Sequence, residues 1–523
     1  MRTKKQKLLL FIKCLIIFFG LALAGIFIFR DPLLQKAIVK VENKLNREYN
    51  CTLTIKKAAF NGVSGVDLEN IILVPKQADT LLSVEKIETN INLLQLLTGD
   101  IQLKSLEMHN GFIQLVKTKN GRNFDAFLHH EKEEKTNEKL NYAKLAYRLL
   151  TKALNLVPTN MHLKNLSLRM DDMGRKVTLK MQKLQLENQQ LQTSINVKTN
   201  TFTQNWNIKG FADPRNKKAD LRFFNNDTSK IKMPYLDERF GLLSSFDSIH
   251  VNVAKIEMES GELHIDGFTS IVNFTVNHPR IAMKDVVIKK ARFDYHLLFG
   301  SNFMAIDSSS TMQLNNIKVH PFAEYSTEED TIYKLKVNIP KMKAQDFITS
   351  LPQGLFTHFE GMEAQGNFDY KLDYKFVKNK PNQLVFDSRL TKENLKITKY
   401  GEANLAKLNG EFTYRAMENG IPQRPIIVGV SNPNFTPFDQ ISPYLQKCVL
   451  TSEDPSFFSH HGFINEAFKQ SILKNIRTKK FSRGASTISM QLVKNVFLTR
   501  EKTLSRKLRL SYCRRYSCYC GQE

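Results

Sequence analysis

The sequence predicts an α+β multidomain protein: an N-terminal transmembrane helix, a long antiparallel β-rich region, then the start of an α-helical domain. Three observations predict it. An apolar run, Leu8 to Phe29, follows a basic N-terminus. Short runs of strict apolar/polar alternation then recur from Cys51 to Arg424, the mark of half-buried strands. After a proline-rich break, a period of 3.6 returns at Ile441. A length of 523 residues also exceeds the usual single domain.

Residues 1–7 form a basic tail with Arg2, Lys4, Lys5 and Lys7. Residues 8–29 span about 33 Å as a helix, enough for a bilayer core. Lys13 interrupts the run near one end and can snorkel. The basic flank places the N-terminus inside and the bulk of the chain outside. Ala22-Leu23-Ala24 offers the rival of a cleaved signal peptide, but apolar residues continue through Phe29, which favours an uncleaved anchor. Only Cys51 and Cys448 of the six cysteines lie in the extended body, so no disulfide framework holds it. Apolar burial must do so instead.

Lys plus Arg is 76 and Asp plus Glu is 51, a net charge of +25. Such an excess suits nucleic acid, anionic lipid or a phosphate-bearing substrate. Neither a zinc-finger spacing nor an RNA-binding aromatic signature is present, which argues against nucleic acid.

Asp31 to Asn50 reads as an amphipathic helix with Leu34, Ile38, Val41 and Leu45 on one face. The β-rich region occupies 31–425. A unit recurs loosely in it, starting at Ile101, Met161 and Ile281: a strand with an early Lys, a short break, then a second strand. That predicts stacked hairpins in an elongated sheet. The charged run HHEKEEKTNEK, 129–139, reads as an exposed loop, and Leu140 to Val157 as a helix ended by Pro158. Turn signals stand at 213–216 and 379–382. Pro422, Pro425, Pro433 and Pro437 mark a linker, placed at 426–440, before a helical domain at 441–523.

The chemistry-bearing stretch is 453–495. Glu453 and Asp454 are adjacent carboxylates, followed by Phe457, Phe458, His460, His461 and Gly462. A carboxylate beside apolar rings suits a general base. Gly484, Ser486 and Thr487 precede an apolar run with Gln491, Lys494 and Asn495. Hydroxyls opening a helix favour an anion there, and Lys494 is a point charge of the kind used against phosphate. Ser471 and Lys474 spell the S-x-x-K of penicillin-binding transpeptidases, but no K-T-G follows, so they read as a helix face.

The pattern E-D-x-x-F-x-x-H-x-G falls on Glu453, Asp454, Phe457, His460 and Gly462, and G-x-S-T-I-x-x-Q-L-x-K-N falls on Gly484 to Asn495. In this order they resemble the first two motifs of the family 51 glycosyltransferases, the peptidoglycan transglycosylases found alone or in bifunctional penicillin-binding proteins. The resemblance implies a lysozyme-like helical domain that polymerises lipid II into glycan strands at the bacterial inner membrane, with the bulk of the chain periplasmic. It implies Glu453 as the catalytic base. It implies substrate contacts from Asp454, Phe457, His460, Gly484, Ser486, Thr487, Gln491, Lys494 and Asn495. It also implies a divalent cation, Mg or Mn, at the donor pyrophosphate. Other cell-wall synthesis proteins are implied partners.

The family's third motif, R-K-x-x-E, is met by Arg506 and Lys507, two further substrate contacts, but Leu510 stands where Glu is expected. The tail at 510–523, with Cys513, Cys518 and Cys520, follows no helical period and reads as a truncated domain of impaired activity. The β-rich region resembles the AsmA-like proteins in layout: an anchor, a helix, a strand-rich run from Cys51 to Lys119, and NGRNFD at 120–125. That resemblance implies a long curved sheet with an apolar groove, and gives the alternative function: a non-catalytic lipid-handling or scaffolding envelope protein with a remnant transglycosylase segment.

Overall fold

A computed structural model describes residues 31–497, apart from 33, 93–101, 129–140, 228, 402–404, 419–420, 461, 481 and 483. The expected basic tail, membrane span, charged loop and C-terminal tail lie outside the described residues.

Two expectations are corrected. The α+β class gives way to a mainly β protein, 54% strand and only 23% helix. The alternation carries through most of the chain, whereas the helices are short. No helix among the described residues is long and apolar enough to cross a membrane. The expected N-terminal transmembrane helix, and the single-pass inner-membrane placement with a periplasmic bulk that rested on it, thus have no helix among the described residues to support them.

The chain divides into two compact units. The first opens with a helix over residues 34–49 (α1). Its C-terminal end, Leu45 and Tyr49, packs on buried Cys51, Leu73 and Leu81. Strands β1 (Cys51–Asn61), β2 (Gly65–Pro75), β3 (Leu82–Ile91) and β4 (Leu103–Thr118) pair antiparallel in sequence order. β5 (Asn160–Asp172) then runs parallel to β4. A parallel neighbour needs a crossover, and the helix α2 (Tyr142–Asn155), expected at 140–157, lies in it. The meander continues through β6 (Arg175–Glu187), β7 (Gln190–Thr199), β8 (Thr203–Asp213) and β9 (Lys218–Phe224).

The recurring unit resolves differently from the hairpins expected. The stretch from Ile101 is a single strand, β4, and that from Ile281 is a single strand, Ala282–Phe299. Only the stretch from Met161 makes a hairpin, turned at Met173 (φ 57°) and Gly174 (φ 93°). The break inside the strands is a left-handed residue. Asn70, Asn110 and Asn165 have φ of 54°, 50° and 53°. They lie in one row across the sheet: Asn70 opposite Glu85, Glu85 opposite Asn110, Asn110 beside Asn165, each falling in a gap of otherwise continuous register. Asn110 Nδ2 donates to Glu85 Oε2 at 2.7 Å, and Asn165 Nδ2 to Asn110 Oδ1 at 3.1 Å.

The apolar phase slips by one at this row. In β2, Val66 and Leu68 precede Asn70, but Ile71 and Leu73 follow it; in β5, Met161 and Leu163 give way to Leu166 and Leu168. Val66, Ile71 and Leu73 are all buried, so the left-handed step keeps one face inward while the spacing changes parity. That face lines an open apolar groove of about 290 Å3, bordered by Leu82, Val84, Met108, Leu166, Leu168 and Met181 among others.

The second unit is built on β10 (Glu262–His278), β11 (Ala282–Phe299), β12 (Ile317–Ser326), β13 (Ile332–Lys343), β14 (Glu363–Val377) and β15 (Val385–Lys399). β10 pairs with β11, and β12 to β15 pair in sequence order, all antiparallel. Helix α3 (Ala344–Ser350) buries Phe347 and Ile348 with Phe359, Met362, Phe368 and Leu395. A separate hairpin, β16 (Phe412–Glu418) with β17 (Ile421–Val428), holds Pro422 and Pro425 in a two-stranded sheet whose edges tolerate proline. Three helices close the unit: α4 (Pro443–Glu453), α5 (Asn465–Thr478) and α6 (Ile488–Val496).

The backbone at Asn70 gives a clean test, because a left-handed conformation costs a residue bearing Cβ about 1–2 kcal/mol and a β-branched one at least that. Asn70→Val is expected to lower the thermal midpoint of the purified protein, and Asn70→Gly to leave it within about a degree. Equal midpoints for both variants would exclude a conformational role for the row.

Candidate functional site

Helix α4 starts with Pro443 at its first turn, where the missing N–H costs nothing, and ends at Glu453. Asp454 leaves the helix at φ −158°, its own N–H still bonded to Leu450 O at 2.9 Å. A single 3-10 turn, Phe457–Ser459, then brings the chain back through His460, and Gly462 at φ 79° makes the turn into α5.

The Asp454 carboxylate is 2% exposed. His460 Nε2 lies 3.0 Å from both of its oxygens. His460 Nδ1 accepts the Gly462 N–H at 2.8 Å. A backbone N–H can only donate, so Nδ1 carries no proton, and the imidazole is the neutral tautomer with its hydrogen on Nε2. Asp454 Oδ2 also accepts the Ile488 N–H, the first amide of α6, at 3.2 Å. The anion at this helix N-terminus is therefore the chain's own Asp454.

Thr487 caps the same helix and is also 2% exposed. Its Oγ1 accepts the Met490 N–H at 3.3 Å and donates to Gly462 O at 3.0 Å. Met490 Sδ accepts the Thr487 N–H at 3.3 Å, a capping box with sulfur in the place of the usual Glu or Gln. Beside this buried knot, Gln491 Nε2 donates to Glu453 Oε2 at 2.8 Å at the surface. Three bonds thus join the two sequence motifs: Asp454 to Ile488, Thr487 to Gly462, and Glu453 to Gln491.

Of the residues singled out from the sequence, Glu453, Asp454, His460, Thr487 and Gln491 form this one network. Phe457 sets its ring edge-on to His460, centroids 6.3 Å apart. Lys494 lies one turn beyond Gln491 on the same side of α6, half-buried, while Asn495 is exposed. Ser486 and Gly484 are exposed on the approach to the helix, and a Cβ at Gly484 would meet open space. Packing therefore does not require that glycine. Arg506, Lys507 and His461 lie outside the described residues. The S-x-x-K pair is split, with Ser471 buried and bonded to Asn475 Nδ2 at 3.3 Å and Lys474 exposed.

Residues without a motif seat the site. Val493 is fully buried in the core with Phe347, Ile348, Phe359 and Met362. Phe468 of α5 stacks on Phe386 of β15, centroids 5.9 Å apart, and Asn465 Nδ2 donates to Asp387 Oδ1 at 3.0 Å. Met490 was legible only as an apolar helix position; the T-x-x-M spacing at a helix start is the signal that marks it.

The described motif residues do not form a ligand set for a divalent cation. Asp454 is buried and bonded to protein, and Glu453 is the other carboxylate at hand. Among the described residues, the His, Cys, Asp and Glu group close enough to hold an ion lies in the first unit.

A β-rich region leading into a knot of two transglycosylase motifs defines the class: a sheet protein carrying a transglycosylase segment. A family model described as "AsmA family" matches residues 1–411, and one described as "Transglycosylase" matches residues 425–513. The first match covers most of the chain, and the protein belongs to the AsmA family. Its C-terminal segment is similar to proteins named biosynthetic peptidoglycan transglycosylase. That of Nitrosospira multiformis is 41% identical over 78 residues, 15% of this chain and 34% of the relative. That of Nitrosomonas eutropha is 45% identical over 71 residues, 14% of this chain and 29% of the relative. Penicillin-binding protein 4 of Bacillus subtilis is 37% identical over 83 residues, 16% of this chain and 13% of that protein. The chain thus spans about a third or less of the length of these relatives. No solved structure gives a significant match.

Removing the Thr487 hydroxyl strands a buried N–H and a buried C=O, and losing such a cap costs about 0.5–2 kcal/mol. Thr487→Val should speed amide hydrogen exchange in 488–496, while Thr487→Ser should keep wild-type protection. Unchanged exchange in Thr487→Val would show that the cap does not hold α6.

Proposed function

We propose that the C-terminal segment acts as a peptidoglycan glycosyltransferase on lipid II, extending a lipid-linked glycan strand. Glu453 is the general base. Its carboxylate takes the proton from the attacking sugar hydroxyl, whose oxygen bonds to the anomeric carbon of the donor. The bond from that carbon to the donor diphosphate breaks, and the lipid diphosphate leaves. The observation that carries this reading is the Glu453–Gln491 bond: one carboxylate oxygen is held by Gln491 at 2.8 Å, at an exposed edge where the other can meet a substrate. Gln491 donates to one carboxylate oxygen and so fixes the direction of the other.

Asp454, His460 and Thr487 are positioning residues in this reading. They are buried and bonded to protein, and they set α6 against the end of α4. Lys494, on the Gln491 side of α6, supplies positive charge to the departing diphosphate. Ser486 and the open backbone at Gly484 line the approach for the donor. A divalent cation at the donor pyrophosphate, Mg or Mn, would be held by the diphosphate rather than by these carboxylates.

A second reading rests on the AsmA family match over residues 1–411. In it the protein handles lipid or acts as a scaffold, the open apolar groove of the first unit is its working part, and the transglycosylase segment does no chemistry.

Polymerisation of lipid II by the purified protein separates the two readings. A positioned base contributes about a hundred- to ten-thousand-fold in rate, so Glu453→Gln should abolish measurable polymerisation while the circular dichroism spectrum stays unchanged. Gln491→Ala should leave partial activity, and Lys494→Ala should raise KM more than it lowers kcat. Polymerisation that survives Glu453→Gln at the wild-type rate refutes the base. Absence of polymerisation by the unaltered protein favours the second reading.

A further inference from the structure

The outer face of the first unit carries a side-chain cluster that glycosyl transfer does not use. Glu88 of β3 stands directly opposite Glu107 of β4, and Glu107 stands beside His162 of β5. His109 lies two residues along β4 from Glu107, on the same face. One ligand atom from each of Glu88, Glu107 and His109 lies within 4.8 Å of the other two, and all three residues are half-buried.

Like charges directly opposite in an antiparallel pair repel, so a Glu facing a Glu calls for a cation. Lys86 Nζ answers for Glu88 Oε1 at 2.6 Å. Glu107 is answered less well. His109 Nε2 is 3.7 Å from its Oε2, and His162 Nδ1 is 3.7 Å from its Oε1, both beyond hydrogen-bond range. On its far side, His162 Nε2 lies 2.6 Å from Glu187 Oε1, which fixes the proton on Nε2.

We propose that Glu88, Glu107 and His109 bind a divalent first-row cation of the zinc class. One imidazole with two carboxylates suits zinc better than calcium or magnesium, which take oxygen ligands alone. Three protein ligands leave a coordination position open for water or a further ligand. The ligands sit on adjacent hydrogen-bonded strands, so their spacing is set by register before any ion arrives. Lys86 and Lys164, the cross-strand neighbours of His109, flank the site and oppose a dication. Lys86 also competes directly for Glu88.

Calorimetric titration of the chelator-stripped full chain with Zn2+ tests this. One equivalent should bind, with no comparable heat from Mg2+. Glu107→Gln and His109→Ala should each weaken binding about tenfold or more, as loss of a ligand or its support does. Lys86→Gln should tighten it by freeing Glu88. His264→Ala, on β10 of the other unit, should leave it unchanged, and circular dichroism should show every variant folded. No Zn2+ binding, or binding that neither Glu107→Gln nor His109→Ala weakens, overturns the proposal.

Discussion

The buried carboxylate of Asp454 holds the transglycosylase segment together. It accepts the first amide of α6 on one side and the neutral imidazole of His460 on the other. A carboxylate at 2% exposure is costly unless it is hydrogen-bonded, and here two N–H groups bond it, His460 Nε2 shared between both oxygens and the Ile488 amide on one. The helix dipole favours the charge at that end. Everything else at the site depends on this contact. With α6 set against the end of α4, Thr487 reaches Gly462, and Gln491 falls beside Glu453. The adjacent acids Glu453 and Asp454 thus take opposite parts. One is at the surface and bonded to Gln491, while the other is buried and structural. The helix ends between them, so successive side chains diverge.

The segment is also rooted in the sheet below it. Val493 lies in the core formed by α3 and the strands around it, and Phe468 stacks on β15. Both contacts lie within the second compact unit, so the two motifs rest on the β-rich fold and not on a separate helical core. Lengthening or shifting β15 would move α5, and with it the turn that carries His460 and Gly462.

The row of left-handed asparagines is the corresponding device in the first unit. A strand that keeps one face buried must alternate strictly, and a single left-handed residue lets it change parity without turning over. Asn suits the position because its short amide tolerates positive φ and bonds sideways to the next strand. Asn110 does so with Glu85, and Asn165 with Asn110. The row lies beside the Glu88, Glu107 and His109 cluster on the same strands, so the backbone that carries those side chains is pinned close by.

The sequence alone marked 31–425 as rich in strands, because alternation is a local signal that needs no partner to be read, but it overstated the helices in setting the chain in the α+β class. It also located α1 and α2, and it placed both motifs by spacing alone, down to Glu453, Asp454, Thr487 and Gln491. It misjudged the breaks at Asn110 and within Ala282–Phe299 as turns, since a one-residue slip in phase looks the same whether the chain reverses or runs on. Only neighbouring strands in register decide that. The parallel pairing of β4 with β5 was equally hidden, being a choice between partners far apart in sequence. At the site, spacing could say which residues belong to the two motifs but not how they differ in surroundings. Burial separates Asp454 from Glu453, and hydrogen-bond direction fixes the proton on His460. Both are properties of the packed chain, because a side chain's exposure and its donors come from segments that meet only when the tertiary structure forms.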